Sequence, residues 1–507
     1  MSYVLAIDQG TTSTRAIVFD KDLQIVASSQ KEIEQFFPFA GWVEHDLEEI
    51  YATVIATVRN AVKGAKISSQ DILSIGITNQ RETTAIWSAE TGQALSKAIV
   101  WQDRRTSEFC DELKKIGKER VYQQKTGLLI DPYFSATKVK WLLDKYDPER
   151  TMANSGKLLF GTIDCYLIWR LTNKKSHSTD ITNASRTMLF NIKSLEWDSD
   201  ILSDLDVPKK ILPNVKECAD DFGVMASEIL GSPIPIKGVA GDQQAATIGQ
   251  ACFQKGMIKS TYGTGCFALL NTGDQFVISK NKLLSTIAYK IDGRICYALE
   301  GSIFIAGAVV QWLRDSIKII DKADQVGKLA SEAKDQEIYF VPAFTGLGAP
   351  YWDPNARGAI FGLLRDTGRE EIALAALESV GFQTRDLLEA MIKDVDGMER
   401  GHIKLRVDGG MTQSSLTMKI LANLTGVEIN IPDIQESTAK GVAWLAGMKI
   451  GLYNQLEAFE EEWTLKEKFS PKLSPDERDK KYECWKKAVG RTRISGYRSN
   501  DLKVFFD

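Results

Sequence analysis

A chain of 507 residues is too long for one compact core, and at roughly 150 residues per domain it predicts two or three domains, with two large ones the simplest arrangement. Apolar residues make up 44% and charged ones 26%, and 63 basic against 67 acidic side chains leave a formal charge of -4, which gives no electrostatic basis for binding nucleic acid or an anionic membrane. Seven scattered cysteines without Cys-x-x-Cys spacing and three histidines (His45, His177, His402) without metal-ligand spacing speak against a disulfide framework and a zinc centre, so proton chemistry falls to carboxylates. The N-terminus enters an apolar run at once, with no basic segment or cleavage site, so no secretory signal is expected. The longest nearly apolar stretch, Ile303 to Leu313, is well short of the roughly 20 residues of a membrane span, and a cytoplasmic location is expected.

In chain order, strand-like runs from Tyr3 to Ile7 and from Ala16 to Phe19 flank Gln9-Gly-Thr-Thr-Ser-Thr-Arg15, predicting a hairpin with a glycine turn. Gly10 allows close approach of the backbone, Thr11, Thr12 and Ser13 offer N-H and O-H donors, and Arg15 offers a charged fork, which is what a phosphate chain needs. Asp8 at the strand end suits Mg2+ held through water. An ordinary hairpin turn explains the segment equally well. No Walker A sequence and no protein-kinase His-Arg-Asp or Asp-Phe-Gly motif occurs, so those two phosphoryl-transfer architectures are not expected.

A helix is predicted from Leu47 to Val62 and a strand from Ile72 to Thr78. Ser74 to Trp87 reads as a hairpin with Arg81 and Glu82 at its turn. An arginine donor beside a glutamate acceptor suits a diol, although an exposed ion pair is the plainer reading. Trp101 and Phe267 form either an apolar wall or plain core, and Tyr133 either aims its hydroxyl into a pocket or fills a gap. A strand from Ile234 to Ala240 ends at Asp242-Gln243, where a helix begins. Asp242 is read either as a helix cap contributing about 1 kcal/mol or as an ionised base for an attacking alcohol, with Gln243 able to donate to and accept from a hydroxyl.

The glycine-turn hairpin then recurs: Ile258 to Tyr262, Gly263-Thr264-Gly265, Cys266 to Leu270. Two such hairpins half a chain apart predict a duplicated architecture. We place the domain boundary near residue 252, giving domains 1–252 and 253–507. Gly307 and Gln311 lie one turn apart on a helix-like run. A helix from Arg369 to Met391, a strand from Ile403 to Val407, the turn Asp408-Gly-Gly410 and a helix from Ser415 to Leu424 follow. That turn is open enough for a flat ring such as adenine. The alternation of strands and helices gives an α/β class, and the charged tail from Leu456 reads as a solvated helical face on the second domain.

Taken together, these segments resemble the glycerol kinases, members of the FGGY group of carbohydrate kinases. The resemblance runs over nearly the whole chain, on Gly41-Trp-Val-Glu-His-Asp46, Asn79-Gln-Arg-Glu82, Trp101-Gln-Asp-Arg-Arg105, Asp131-Pro-Tyr-Phe-Ser-Ala-Thr-Lys138, Gly348-Ala-Pro-Tyr-Trp-Asp353 and Glu436-Ser-Thr-Ala-Lys-Gly441. It implies a two-domain actin-like ATPase fold of duplicated ribonuclease-H-like domains with the active site in the cleft between them. It implies phosphorylation of glycerol by ATP with Mg2+, with Asp242 as general base and Asp8 and Asp242 as the metal carboxylates. Arg81, Glu82, Tyr133, Asp242 and Gln243 would hold glycerol, walled by Trp101 and Phe267. Thr11, Thr12, Ser13, Arg15 and Thr264 would contact the phosphates, with Gly307, Gln311, Gly410 and Ser414 nearer the nucleoside. Ser414 stands where family members often carry the longer Asn. Between Val224 and Ile236 there is neither the Gly-rich loop with arginine of relatives inhibited by fructose 1,6-bisphosphate nor the histidine of relatives activated by phosphorelay. Family habit implies a homodimer or homotetramer. The rivals are a pentulose or longer-polyol kinase of the same fold and an actin-like ATPase machine without a diol pocket.

Overall fold

The two glycine turns open two copies of one sheet. In the computed structural model, which describes residues 2–494 except 335 and 435, β1 (Tyr3–Gln9) turns back antiparallel onto β2 (Ser13–Phe19) and then β3 (Ile25–Glu32). On its other side β4 (Ile72–Asn79) and β5 (Ile234–Gly241) add in parallel. The second sheet repeats this: β6 (Met257–Tyr262) turns back onto β7 (Cys266–Gly273) and β8 (Arg294–Ile303), and β9 (Lys404–Asp408) and β10 (Ile429–Pro432) add in parallel. Among the five strands named in each sheet, the spatial order third, second, first, fourth, fifth therefore occurs twice. Edge strands complete the sheets, Val224–Met225 on the first and Leu284–Ile291 and Leu465–Phe469 on the second. The duplication expected from the hairpins is present, in a two-domain α/β fold of the actin-like type.

The alternation in β1 explains why helices cover both faces of its sheet. Leu5 and Ile7 point to a core shared with Ile50, Val54 and Val58, while Val4 and Ala6 point to one shared with Val442, Ala443 and Ala446. Seven helices matter below: α1 (Leu47–Ala65), α2 (Asp242–Gly249), α3 (Gly307–Asp315), α4 (Arg369–Asp394), α5 (Ser415–Thr425), α6 (Ser437–Lys449) and α7 (Pro475–Ile494). In α1, Leu47, Ile50, Val54, Val58 and Ala61 recur at helical spacing, and the Asp46 side chain caps the first turn by accepting from the N-H groups of Glu48 and Glu49.

Helix α6, late in the chain, packs on the first sheet and against α2. Glycines make this approach possible. A Cβ on Gly76 of β4 would lie 2.2 Å from the Val442 carbonyl oxygen, one on Gly441 2.0 Å from that of Ala245, and one on Gly249 1.9 Å from that of Ser437. The crossing fixes where α2, and with it Asp242, sits. The charged tail from Leu456 forms a short helix (Leu456–Glu461), the edge strand Leu465–Phe469 and then α7, which carries buried Trp485 and Tyr482 against α4. No helix among the described residues is long and apolar enough to cross a membrane.

Candidate active site

Three adjacent parallel strands end in register. Gln9 of β1 is level with Asn79 of β4, and Asn79 with Gly241 of β5. Asp8, Arg81, Glu82 and Asp242 therefore emerge side by side at the carboxyl ends of the strands, where open α/β sheets bind ligands.

Three local readings of the sequence need correction. The stretch around Arg81 and Glu82 is not a hairpin: β4 pairs with β1 and β5, whereas Ala85–Ser88 pairs with Leu158–Gly161 of a separate small sheet. The chain passes from one sheet to another at Arg81-Glu82. The ion pair is not exposed either, since Arg81 is 3% and Glu82 1% accessible. Glu82 is held at φ 60°, a left-handed conformation that costs a non-glycine residue roughly 1–2 kcal/mol. Its carbonyl accepts from Thr84 and Ser135 and its Oε1 from Arg186 Nε at 2.7 Å. Asp242 is not the cap of its helix. Gly241 occupies that position, and Oδ1 of Asp242 accepts from the N-H of Gln243 at 2.6 Å.

Arg81 sits at the centre of the cluster. Its Nε lies 3.1 Å from Asp242 Oδ1, its Nη1 donates to Glu300 Oε2 at 2.6 Å and Gln244 Oε1 at 3.2 Å, and its Nη2 donates to Glu300 Oε1 at 3.2 Å and reaches the Tyr133 hydroxyl at 3.5 Å. Arg186 closes the network, donating to both Glu82 and Glu300. Burial opposes the charge of Arg81, but the Glu300 and Glu82 carboxylates outweigh it and keep the guanidinium protonated. Burial likewise opposes the charge of Glu300, and Arg186 and Arg81 hold its carboxyl below the usual range. For Glu82 burial prevails over the two arginines and its carboxyl is pushed up.

The Trp101, Tyr133 and Phe267 rings lie together. The Trp101 ring centroid is 5.5 Å from that of Tyr133 and 6.2 Å from that of Phe267. Asp131 accepts from the Tyr133 N-H, and Lys138 donates to the Tyr133 carbonyl at 2.9 Å, which sets the ring's position. The Trp101 indole N-H also donates to Thr11 Oγ1 at 2.9 Å. Trp101 thus touches the first glycine turn and Phe267, three residues beyond Thr264 of the second, and both turns border one wall.

In the first turn Gly10 N donates to Ser13 O, Ser13 Oγ accepts from Gln30, and the Thr12 side chain is exposed. Arg15 pairs with Glu436 through Nη1 and bonds Gln30 through Nη2, which leaves other N-H groups of its guanidinium for a phosphate. The Asp8 carboxyl is pushed up to about 7: burial raises it most, Arg15 lowers it, and the charges of Asp242 and Glu436 raise it further. Carboxylates crowded in this way are relieved by a cation. Mg2+ prefers one or two carboxylates with water and phosphate oxygens, so Asp8 and Asp242 fit one that arrives with a nucleotide. Among the described residues no group of three or more metal-binding side chains gathers into an all-protein cage.

The second half supplies a cavity of about 640 Å³ at the ends of β6 and β9, lined by Thr264, Gly307, Gln311, Gly410 and Ser414. All five residues expected from the C-terminal segments meet there. The Gly307 N-H donates to the Gly263 carbonyl, joining α3 to the turn, and a Cβ on Gly307 would lie 2.5 Å from that oxygen. Gly409, at φ 95°, starts the turn into Gly410, and Ser414 Oγ caps α5 by accepting from Thr417 N.

Arg186, Gln244, Lys259 and Glu300 were not singled out from the sequence. The available signal was a lone charge inside an apolar run, Glu300 in Ala298-Leu-Glu-Gly-Ser-Ile303 and Lys259 in Met257-Ile-Lys. A buried charge must find a partner.

Models of the FGGY family of carbohydrate kinases match this chain twice, the N-terminal domain over residues 3–249 and the C-terminal domain over 258–450. The chain belongs to the FGGY family of carbohydrate kinases. Among members of the family, it is 57% identical over 494 residues to a glycerol kinase of Rhizobium meliloti, covering 97% of this chain and 99% of that one. It is 54% identical to glycerol kinase 1 of Pseudomonas aeruginosa over 97% and 99% of the two chains. The crystal structure of Plasmodium falciparum glycerol kinase with ADP matches with a TM-score of 0.91 at 36% identity, covering 97% and 98%. A gluconate kinase of Lactobacillus acidophilus, at 23% identity and a TM-score of 0.86, shares the FGGY fold.

Proposed function

We propose that this protein transfers the γ-phosphoryl group of ATP to glycerol, giving glycerol 3-phosphate and ADP in the cytoplasm, with residues 1–252 and 253–507 as the two domains flanking the cleft. The observation that carries the reading is the cluster of buried Arg81 and Glu82 with partly exposed Asp242, beside the Trp101, Tyr133 and Phe267 rings, in a chain whose 57%-identical relatives are glycerol kinases.

Hydrogen bonding assigns work to individual atoms. Oδ1 of Asp242 is occupied by Arg81 Nε and Gln243 N-H, and among the described residues none donates to Oδ2. Oδ2 is therefore the atom that accepts the proton of the attacking hydroxyl. Oε1 of Glu82 is taken by Arg186, which leaves Oε2 as an acceptor for a second hydroxyl of the substrate. The aromatic rings cover the carbon skeleton and limit the access of water. In the loose transition state of phosphoryl transfer catalysis is mainly positioning and charge stabilisation, supplied here by the Thr11 to Ser13 turn, Arg15 and Thr264. Mg2+, when bound with ATP at Asp8 and Asp242, neutralises charge on the transferred group.

Substrate profiling tests the reading against a pentulose kinase. With glycerol, dihydroxyacetone, erythritol and xylulose offered separately, glycerol should give the highest kcat/KM. A preference for xylulose would overturn it.

A further inference from the structure

We propose that Lys259, on β6 of the second sheet, is a positioning residue for the alcohol pocket, its ammonium fixing the side-chain amide of Gln243 with the nitrogen turned to the substrate. The inference rests on the glycerol-phosphorylating reading and adds to it a residue that touches neither substrate.

Lys259 is fully buried, and its Nζ lies 2.5 Å from Oε1 of Gln243. An ammonium only donates, so the amide atom facing it is the oxygen. A glutamine side chain left alone presents either end to a ligand. Here the oxygen is committed, and Nε2 is the polar atom left for a substrate hydroxyl. The backbone of Gln243 is already fixed, its N-H by Asp242 and its carbonyl by the Thr247 hydroxyl at 2.8 Å. The remaining freedom lies in the side chain, and Lys259 removes it.

A packing role does not account for a lysine at this place. Burying an ammonium is costly, and a methionine would fill the same space. Its charge faces Asp408 across the β6–β9 pair, as well as Asp242, Arg81 and Cys266, and burial pulls the amine down from its usual range. Glu300, from the same sheet, performs the corresponding service for Arg81 and Arg186. The second half therefore reaches across the cleft with two buried charges to set donors that belong to the first.

A double-mutant cycle decides the matter. Lys259→Met should raise the glycerol KM about tenfold, as expected for one hydrogen bond to substrate, with the ATP KM unchanged. Gln243→Ala should do the same, and the double variant should be no worse than Gln243→Ala alone. Lys259→Gln, which keeps a donor, should recover part of the loss and serves in the cycle if the Met variant does not fold. Multiplicative losses, or a glycerol KM within twofold of the parent in the Lys259 variants, would overturn the positioning role. If the parent enzyme releases no ADP in response to glycerol, the functional reading fails first and the proposal with it.

Discussion

The Nε of Arg81 lies 3.1 Å from Oδ1 of Asp242, so the residue placed to grip the alcohol also orients the carboxylate that would deprotonate it. Arg81 is therefore not a pure substrate-binding group. Arg81→Ala should raise the glycerol KM and also lower kcat, by on the order of 100-fold, while the ATP KM changes little. It should also destabilise the fold by about 3 kcal/mol, because buried Glu300 loses one of its two arginine partners and keeps only Arg186. Steady-state kinetics and denaturant unfolding check both. An unchanged kcat would separate Arg81 from the base.

Asp242→Asn preserves size and the contact from Gln243 N-H but removes the proton acceptor. Turnover should fall by on the order of 10²–10⁴-fold, with ADP affinity measured by calorimetry in the absence of Mg2+ unchanged. Near-parental turnover would remove Asp242 from its role.

Ser414 tests the division between the two pockets. Its hydroxyl caps α5, and the residue lines the cavity of the second half that is proposed for the nucleotide. Ser414→Ala should cost about 1 kcal/mol of stability and raise the ATP KM while leaving the glycerol KM alone. Ser414→Asn should keep the cap. A change confined to the glycerol KM would contradict the assignment of the cavity.

These assignments show how far the sequence carries. The strands and the two glycine turns were legible because β-branched runs and glycine spacing are local signals, and the two halves share one topology. Trp101, Tyr133 and Phe267 were legible through the resemblance, and the structure brings their rings together. The Arg81-Glu82 hairpin was misread because the partner of Ala85–Ser88 lies 70 to 76 residues away, at Leu158–Gly161. Glu300 escaped notice because its partners Arg81 and Arg186 lie 219 and 114 residues away, and Lys259 because its partner Gln243, 16 residues earlier, sits on a helix end that packs against its strand only in the folded chain.

Gly441 tests the helix crossing that seats Asp242. In Gly441→Ala the new methyl would meet the Ala245 carbonyl oxygen at 2.0 Å, so α2 must move. Overpacking of this kind costs about 1–3 kcal/mol or more. Unfolding midpoint and kcat should both fall. A variant with parental stability and turnover would show that the crossing is looser than the structure has it.

Asp386 gives a dependence on pH. It is buried on α4, accepting from Tyr482 Oη at 2.7 Å and Trp485 Nε1 at 2.9 Å, and its carboxyl is pushed up to about 6, chiefly by burial. With the folded value above the unfolded one, the native chain keeps a proton that the unfolded chain has lost between pH 4 and 6. Stability contributed by this group is fully present below that window and is lost as pH rises through it, by roughly 2–3 kcal/mol. Asp386→Asn should remove the effect, so its stability relative to the parent should be more favourable at pH 8 than at pH 5. A difference independent of pH would contradict the shift.

The most direct test of the central claim is ADP release by the purified protein with ATP and Mg2+, in the presence and absence of glycerol, with the phosphorylated product identified. The account predicts a rate that depends on glycerol and yields glycerol 3-phosphate. ATP hydrolysis at the same rate without glycerol would contradict it.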